Sequence, residues 1–241
     1  AESLANWDAG MSMILNPYAF SGAAPPPPPG DPYFSNVQLL LHCDESSFAD
    51  SSGTPATITT NLATLDTSTK KFGAGSLSAR ANTNYLTATD DGRFGVTSED
   101  WTLEFWIAPD STSGFISGRR IFDSGFCRIQ ASGTDDMAVR VSFSDMASSV
   151  LLGTSAVNMT LGQWYYVGVK RDGSDFEFRI NGNLISSYTN VTDHNGGTYD
   201  VQVGGIAGGI NYSRSWMDDV RLTVGTARDI SSVPTAAFPD S

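Results

Sequence analysis

The chain has 241 residues, 26 Asp and Glu against 14 Lys and Arg, a formal net charge of −12 and a pI near 4.3. This balance argues against nucleic acid as a partner, because phosphate binding needs clustered Lys and Arg. It leaves two readings of the acidity, solubility or carboxylates that bind a hard cation, and no segment approaches the ~20 apolar residues of a membrane span.

Residues 1–30 differ from the rest. The apolar stretch Met11–Leu15 is too short for a signal-peptide core and lacks basic residues before it, and Ala1 is compatible with a processed start. Five consecutive prolines, Pro25–Pro29, form a stiff polyproline spacer that cannot join a sheet ladder. Trp7, Ile14, Leu15, Tyr18 and Phe20 make the arm too apolar for an ordinary solvated tail. They point to docking on another chain or another copy, with a disordered tail as the alternative.

Residues 31–241 read as one β domain. Val37–Cys43 is a near-continuous apolar run, hence a buried strand, and Phe48–Gly53 is a turn-rich loop. Short strands are expected at 76–79 and 85–88, and a longer one at 101–108, stopped by Pro109. The pattern continues through 121–130, 137–143 and 150–153. In 175–180, Phe176, Phe178 and Ile180 alternate with Asp175, Glu177 and Arg179, the period of a half-buried antiparallel strand. Asn181-Gly182 suits a hairpin turn with positive φ at both central residues, so 164–170, 175–180 and 183–188 form a meander. Strands at 201–205 and 219–224 close the domain, and no stretch has a convincing helical period. Cys43 and Cys127 sit in apolar contexts and read as two small buried hydrophobes, reduced, though adjacent strands could pair them.

Taken in order, these segments resemble laminin-G-like domains with the concanavalin A-like jelly-roll fold. The resemblance runs through Leu39-Leu40-Leu41-His42-Cys43-Asp44, Lys71-Phe72-Gly73-Ala74-Gly75-Ser76-Leu77 and Asn84-Tyr85-Leu86. It continues in Trp101-Thr102-Leu103-Glu104-Phe105-Trp106-Ile107, Gly162-Gln163-Trp164-Tyr165-Tyr166-Val167-Gly168-Val169, Arg179-Ile180-Asn181-Gly182 and Met217-Asp218-Asp219-Val220-Arg221-Leu222. It covers about residues 33–240 and implies an all-β sandwich of two antiparallel sheets. Asp31-Pro32-Tyr33-Phe34 and the closing Phe238-Pro239-Asp240 resemble domains of bacteriophage structural proteins.

The resemblance also implies one structural calcium ion tying the first strand to the last, through Asp44, a carbonyl near Gly73, and Asp219. Calcium prefers several hard oxygen ligands. The competing reading makes Asp44 and Asp219 turn residues that accept from nearby amides.

Asn211, Tyr212, Arg214 and Trp216 combine aromatic faces with donors and acceptors, the chemistry of sugar binding. The competing reading makes Trp216 core and Tyr212 loop packing. Catalysis is not expected: Glu104 and Glu177 fall on different strands, whereas glycosidases of this fold carry an acid and a nucleophile close together on one strand.

The expected function is therefore a non-enzymatic virion surface protein of a bacteriophage. Residues 1–30 would anchor it to other virion proteins, and the sandwich would bind a host-surface glycan or decorate capsid or tail, oligomeric in the assembled particle. A secreted bacterial carbohydrate-binding module, extracellular in location, is the alternative.

Overall fold

The computed structural model describes residues 30–81, 84–110, 118–131, 137–144, 148–154, 159–189, 193–194, 197–207 and 212–241. They form two antiparallel sheets packed face to face, with one 3-10 turn, Phe34–Asn36, as the only helical element among them. The first sheet carries, in spatial order, β13 (Asn183–Thr189), β12 (Asp175–Ile180), β11 (Tyr165–Asp172), β6 (Trp101–Pro109), β15 (Ser215–Val224), β4 (Ser76–Ala79) and β3 (Thr64–Asp66). β1 (Val37–Leu41) shares the edge of β15 with β4: it pairs with the second half of β15, and β4 with the first. The second sheet runs β10 (Ser148–Thr154), β9 (Met137–Ser144), β8 (Cys127–Ala131), β7 (Arg120–Asp123), β14 (Val201–Val203), β5 (Tyr85–Ala88) and β2 (Ile58–Asn61).

The meander forms as its alternation dictates. Phe176, Phe178 and Ile180 are buried, and Asn181 and Gly182 have φ of 49° and 75° in the tight turn. The inner faces enclose one core that includes Leu39, Leu77, Trp101, Phe105, Phe122 and Phe178. Cys43 and Cys127 belong to it as free, buried thiols. Burial pushes both thiols upward.

Every residue of β6 is buried, as is nearly all of β15. The reason lies outside the sandwich. The segments around Phe34 and Phe238 lie across the outer face of the first sheet, where Val37, Leu40, Trp106, Tyr166 and Phe238 form a second apolar cluster. Under this cover sits an ionic network. Arg228 donates from Nη1 and Nη2 to the two oxygens of Asp31 (2.9 and 2.7 Å), and Arg221 bridges Asp31 and Glu104. The Tyr166 hydroxyl donates to the other Glu104 oxygen. Glu104 does face away from the core, as its alternation requires, but it is enclosed rather than solvated. The Asp31 amide donates to the Ser241 carbonyl (2.7 Å), so the chain enters the domain beside its last residue.

The boundaries differ from the sequence reading at many strand ends, and Pro109 closes β6 from within it; three differences matter most. The 121–130 segment is two strands joined at Ser124–Phe126; β15 begins at Ser215; and β2 and β3 carry no apolar run to announce them. The segments 76–79 and 85–88 go to opposite sheets.

Candidate functional site

The outer face of the second sheet has no covering layer among the described residues, and register aligns polar side chains across it. Thr59 stands opposite Thr87, Thr87 opposite Gln202, Gln202 opposite Asp123, and Asp123 opposite Arg128. Thr87, Gln202, Asp123 and Arg128 alternate along their strands with buried residues, Leu86 and Ala88, Val201 and Val203, Cys127 and Ile129 among them, so they face away from the core, while Thr59 lies on an edge strand exposed at both Thr59 and Thr60. Five strands at 4.7–4.9 Å spacing make it about 19 Å long. Beside it, Asn61 donates to the Thr87 hydroxyl (3.2 Å), and Arg120 to Gln130 (2.6 Å).

At one end the row opens into a cleft of about 320 Å³ lined by Asp123, Gly125, Arg128, Tyr199, Asp200 and Gln202. Tyr199 forms a wall because Gly125 and Gly197 leave room for it; a Cβ at either position would overlap its ring. Asp90 fixes this wall. Its Oδ2 accepts from the Tyr199 amide (2.8 Å), its own amide donates to Asp200 (2.9 Å), and its Oδ1 holds the Gly92 and Phe94 amides. Asp123 Oδ2 accepts from both Arg120 Nε and Arg128 Nε, each at 2.9 Å. A partly exposed ring beside a row of hydroxyl, amide and charged groups can stack a sugar ring and hydrogen-bond its hydroxyls.

The expected ligand residues around 211–216 take another role. Asn211 lies outside the described residues. Tyr212 and Trp216 are 8% and 4% exposed. The Arg80 guanidinium lies 4.4 Å above the Trp216 ring, and Arg119 lies 5.0 Å from the Tyr212 ring. Trp216 Nε1 donates to Asp66 (2.7 Å), and Arg214 Nε reaches the Tyr212 hydroxyl at 3.4 Å. These rings brace the end of the sandwich and do not offer an open stacking face.

The expected calcium ligands are brought together only in part. Cys43, at φ 60°, follows β1, and the next residue, Asp44, lies against the Gly73 turn, where a Cβ would overlap its carboxylate. Its Oδ1 accepts from the Ala74 and Gly75 amides. Asp219 has both oxygens engaged: Oδ1 with His42 Nδ1 at 2.7 Å, and Oδ2 accepting from the Phe238 amide at 2.6 Å. The hydrogen bond to Asp219 raises His42 above the usual imidazole range.

The residue with spare capacity is Asp218, which the sequence reading passed over. Its Oδ2 accepts from the Lys71 and Phe72 amides (2.8 and 3.1 Å), while Oδ1 is buried without a partner. Burial, with Asp219 and Asp44 as like-charged neighbours, pushes its carboxyl up to about 7 against the two amide bonds. Among the described residues no three His, Cys, Asp or Glu side chains stand together so as to hold a metal. Any cation here would take backbone or water oxygens as well.

The described residues offer no glycosidase pair. Glu104 is bound to Arg221 and Tyr166 under the segments around Asp31 and Phe238, and Glu177 pairs with Arg179 on another strand. His194, without a visible partner in the sequence, is buried and accepts from Trp101 Nε1 at 3.1 Å. The docking residues Trp7, Ile14, Leu15, Tyr18 and Phe20 lie outside the described residues.

Residues 80–230 match the Laminin_G_3 family model, described as the concanavalin A-like lectin/glucanases superfamily. No curated protein matches the sequence. Among solved structures, domain 4 of AbnA, a GH43 extracellular arabinanase from Geobacillus stearothermophilus in complex with arabinotriose, is similar at 17% identity and a TM-score of 0.63, over 81% of this chain and 96% of that one. The botulinum neurotoxin serotype D ligand binding domain in complex with N-acetylneuraminic acid is similar at 13% identity and a TM-score of 0.63, over 83% of this chain and 50% of that one. The binding domain of Paraclostridial Mosquitocidal Protein 1 is similar at 12% identity and a TM-score of 0.60, over 82% and 51%. The chain thus spans about half the length of the toxin domains, and at these identities the likeness is one of fold.

Proposed function

The chain belongs to the Laminin_G_3 family of the concanavalin A-like lectin/glucanases superfamily, and from this premise we propose that it is a non-catalytic carbohydrate-binding domain whose ligand lies along the Thr59–Arg128 row. The observation that carries the reading is the uncovered polar row ending at the Tyr199 wall. The sugar complexes of the arabinanase domain and of the neurotoxin domain support carbohydrate as the ligand class. Binding of the full chain to immobilised polysaccharides, before and after Tyr199→Ala, tests it. The variant should keep its melting temperature and lose about tenfold in affinity, the scale of ~1.4 kcal/mol. Undiminished binding by the variant contradicts this placement.

The finer proposal is a bacteriophage virion surface protein. Residues 1–30 anchor it to other virion proteins, and the sandwich adheres to a host-surface glycan or decorates capsid or tail. The entry of the chain at Asp31, on the outer face of the first sheet, supports an anchor on the side away from the glycan row. The resemblance of the Asp31–Phe34 and Phe238–Asp240 segments to phage domains supports the setting. Full-length protein should co-sediment with phage particles, and protein lacking residues 1–30 should fold and remain in the supernatant. Equal sedimentation of both removes the anchoring role. A module of a secreted bacterial enzyme is the second reading, favoured by the near-complete coverage of the arabinanase domain.

We also propose a structural calcium ion held by Asp44, carbonyl oxygens of the Gly73 turn, and Asp218 in place of Asp219. The unpartnered Asp218 Oδ1 supports the exchange.

A further inference from the structure

We infer that Tyr85 is a second sugar-stacking platform at the far end of the row, so that the ligand is an extended glycan chain reaching from Tyr199 to Tyr85 and not a single terminal sugar. The inference rests on the carbohydrate-binding reading above and deepens it. Three observations carry it.

The first is the face that the ring takes. Along β5, Tyr85 and Thr87 are half-buried, whereas Leu86 and Ala88 belong to the core. Alternation therefore puts Tyr85 on the same outer face as Thr87. Its register partner is Asn61, and cross-strand partners share a face. Asn61 Nδ2 donates to the Thr87 hydroxyl (3.2 Å), so these three side chains occupy one patch of the bare sheet.

The second is that this tyrosine is uncommitted. The Tyr166 hydroxyl donates to Glu104, the Tyr165 hydroxyl accepts from the Thr160 amide, and Arg119 and Arg214 flank the Tyr212 ring. Among the described residues the Tyr85 hydroxyl has no hydrogen-bond partner, and its ring has no aromatic or cationic one. A tyrosine presenting an apolar face and a polar tip at a wet surface suits a sugar, whose C–H groups stack on the ring while a hydroxyl bonds the tip.

The third is the neighbour. Leu62 forms a β-bridge with Tyr85 and, at 72%, is the most exposed large hydrophobic among the described residues. Its φ of 52° lies in the left-handed region, which a leucine adopts only at a cost. Such strained residues cluster at ligand clamps, and an exposed apolar side chain beside a ring widens the stacking surface.

The face is thus aromatic at both ends and polar between them, where Thr87, Gln202 and Asp123 offer donors and acceptors. Tyr85 lies to one side of the row on β5, and Gly125, which seats Tyr199, lies to the opposite side beyond β7. Strand spacing and rise put the two positions about 17 Å apart. One sugar ring cannot touch both, so both platforms are used only by a chain.

The test is calorimetric titration of the full chain with two ladders, arabino-oligosaccharides and cello-oligosaccharides, each from the disaccharide to the hexasaccharide. In at least one ladder, affinity should rise at least tenfold from the shortest to the longest member. Tyr85→Ala should remove most of that gain at unchanged melting temperature, and Tyr85→Phe should keep it, because the ring provides the contact. Tyr199→Ala should weaken binding at every length. A general loss of structure would not select long chains over short ones. A flat length dependence in the wild type overturns the inference, as does a gain that survives Tyr85→Ala; in either case sensitivity to Tyr199→Ala leaves the carbohydrate-binding reading in place. A loss in Tyr85→Phe as large as in Tyr85→Ala overturns the stacking role. No binding of either ladder, or binding that neither alanine variant changes, overturns the carbohydrate site on this face and the inference with it.

Discussion

Glu104 illustrates how far a single residue can be read in sequence. Its alternation with Leu103 and Phe105 assigns it the face away from the core, and it occupies that face. What alternation cannot supply is the cover: Asp31, Arg221 and Arg228 come from distant parts of the chain and close over it as one ionic network. Removing one partner of a buried pair leaves an uncompensated charge, so Glu104→Gln should cost about 3–5 kcal/mol in urea unfolding. A cost near zero would mean that water reaches Arg221. Asp66 gives the pH counterpart. Burial raises its carboxyl, but bonds from Ser68, Trp216 and the Thr69 amide outweigh burial and hold it at about 2. A carboxyl depressed below its unfolded value of 3.8 adds stability above that pH and loses it as pH falls toward 2. The melting temperature should therefore drop across pH 4 to 2, and Asp66→Ala should flatten part of the drop while lowering the plateau above it. An unchanged slope would remove Asp66 from the account. The residues around Tyr212 and Trp216 were legible as an aromatic and polar cluster. Burial stood there as the competing reading, Trp216 as core and Tyr212 as loop packing; what could not be read was the partners, because Arg80 and Arg119, which engage the rings, lie far away in sequence.

At the scale of elements, the informative case is β15. Strict alternation from Met217 would send Asp219 into the core and Val220 out of it. Instead the pairing with β6 shifts between Asp218 and Arg221, and Asp219 takes φ 50°. The bulge releases two successive carboxylates from the core while Met217 and Val220 remain in it. The spacing of three between Met217 and Val220 is the trace it leaves in the sequence; Asp219, rather than Asp218, was the expected ligand because the family resemblance implied it. The two separate experimentally. Calcium at a hundred times its dissociation constant should stabilise the protein by about 2.7 kcal/mol, seen as a rise in melting temperature reversed by chelator. Asp218→Asn should abolish the rise. Asp219→Asn should lower the starting temperature, through loss of the His42 and Phe238 bonds, yet keep the rise. Identical melts with calcium and with chelator would remove the ion. The meander and β6 were readable because each carries its own alternation or apolar run. β2 and β3 were not, since Ile58-Thr59-Thr60-Asn61 and Thr64-Leu65-Asp66 are short and mostly polar.

On the scale of the whole molecule, the two sheets differ in what lies outside them. The segments around Asp31 and Phe238 cover one, while the described residues leave the other bare, so polar residues on the covered sheet become a buried network and those on the bare sheet form an exposed row. The sandwich itself was legible from the ordered series of strand segments. The row was not, because it depends on β14 inserting between β5 and β7, and these pairings join Gln202 to residues 115 and 79 positions away, Thr87 and Asp123. Val201-Gln202-Val203 reads as a strand from its alternation, but nothing local says that Gln202 will stand between Thr87 and Asp123. The measurement that tests the central claim most directly is amide chemical-shift mapping of the full chain titrated with a bound oligosaccharide. The account predicts the largest shifts at Thr87, Asp123, Arg128, Tyr199 and Gln202. Shifts confined to residues 42–45 and 71–75, or to the covered sheet, would contradict it.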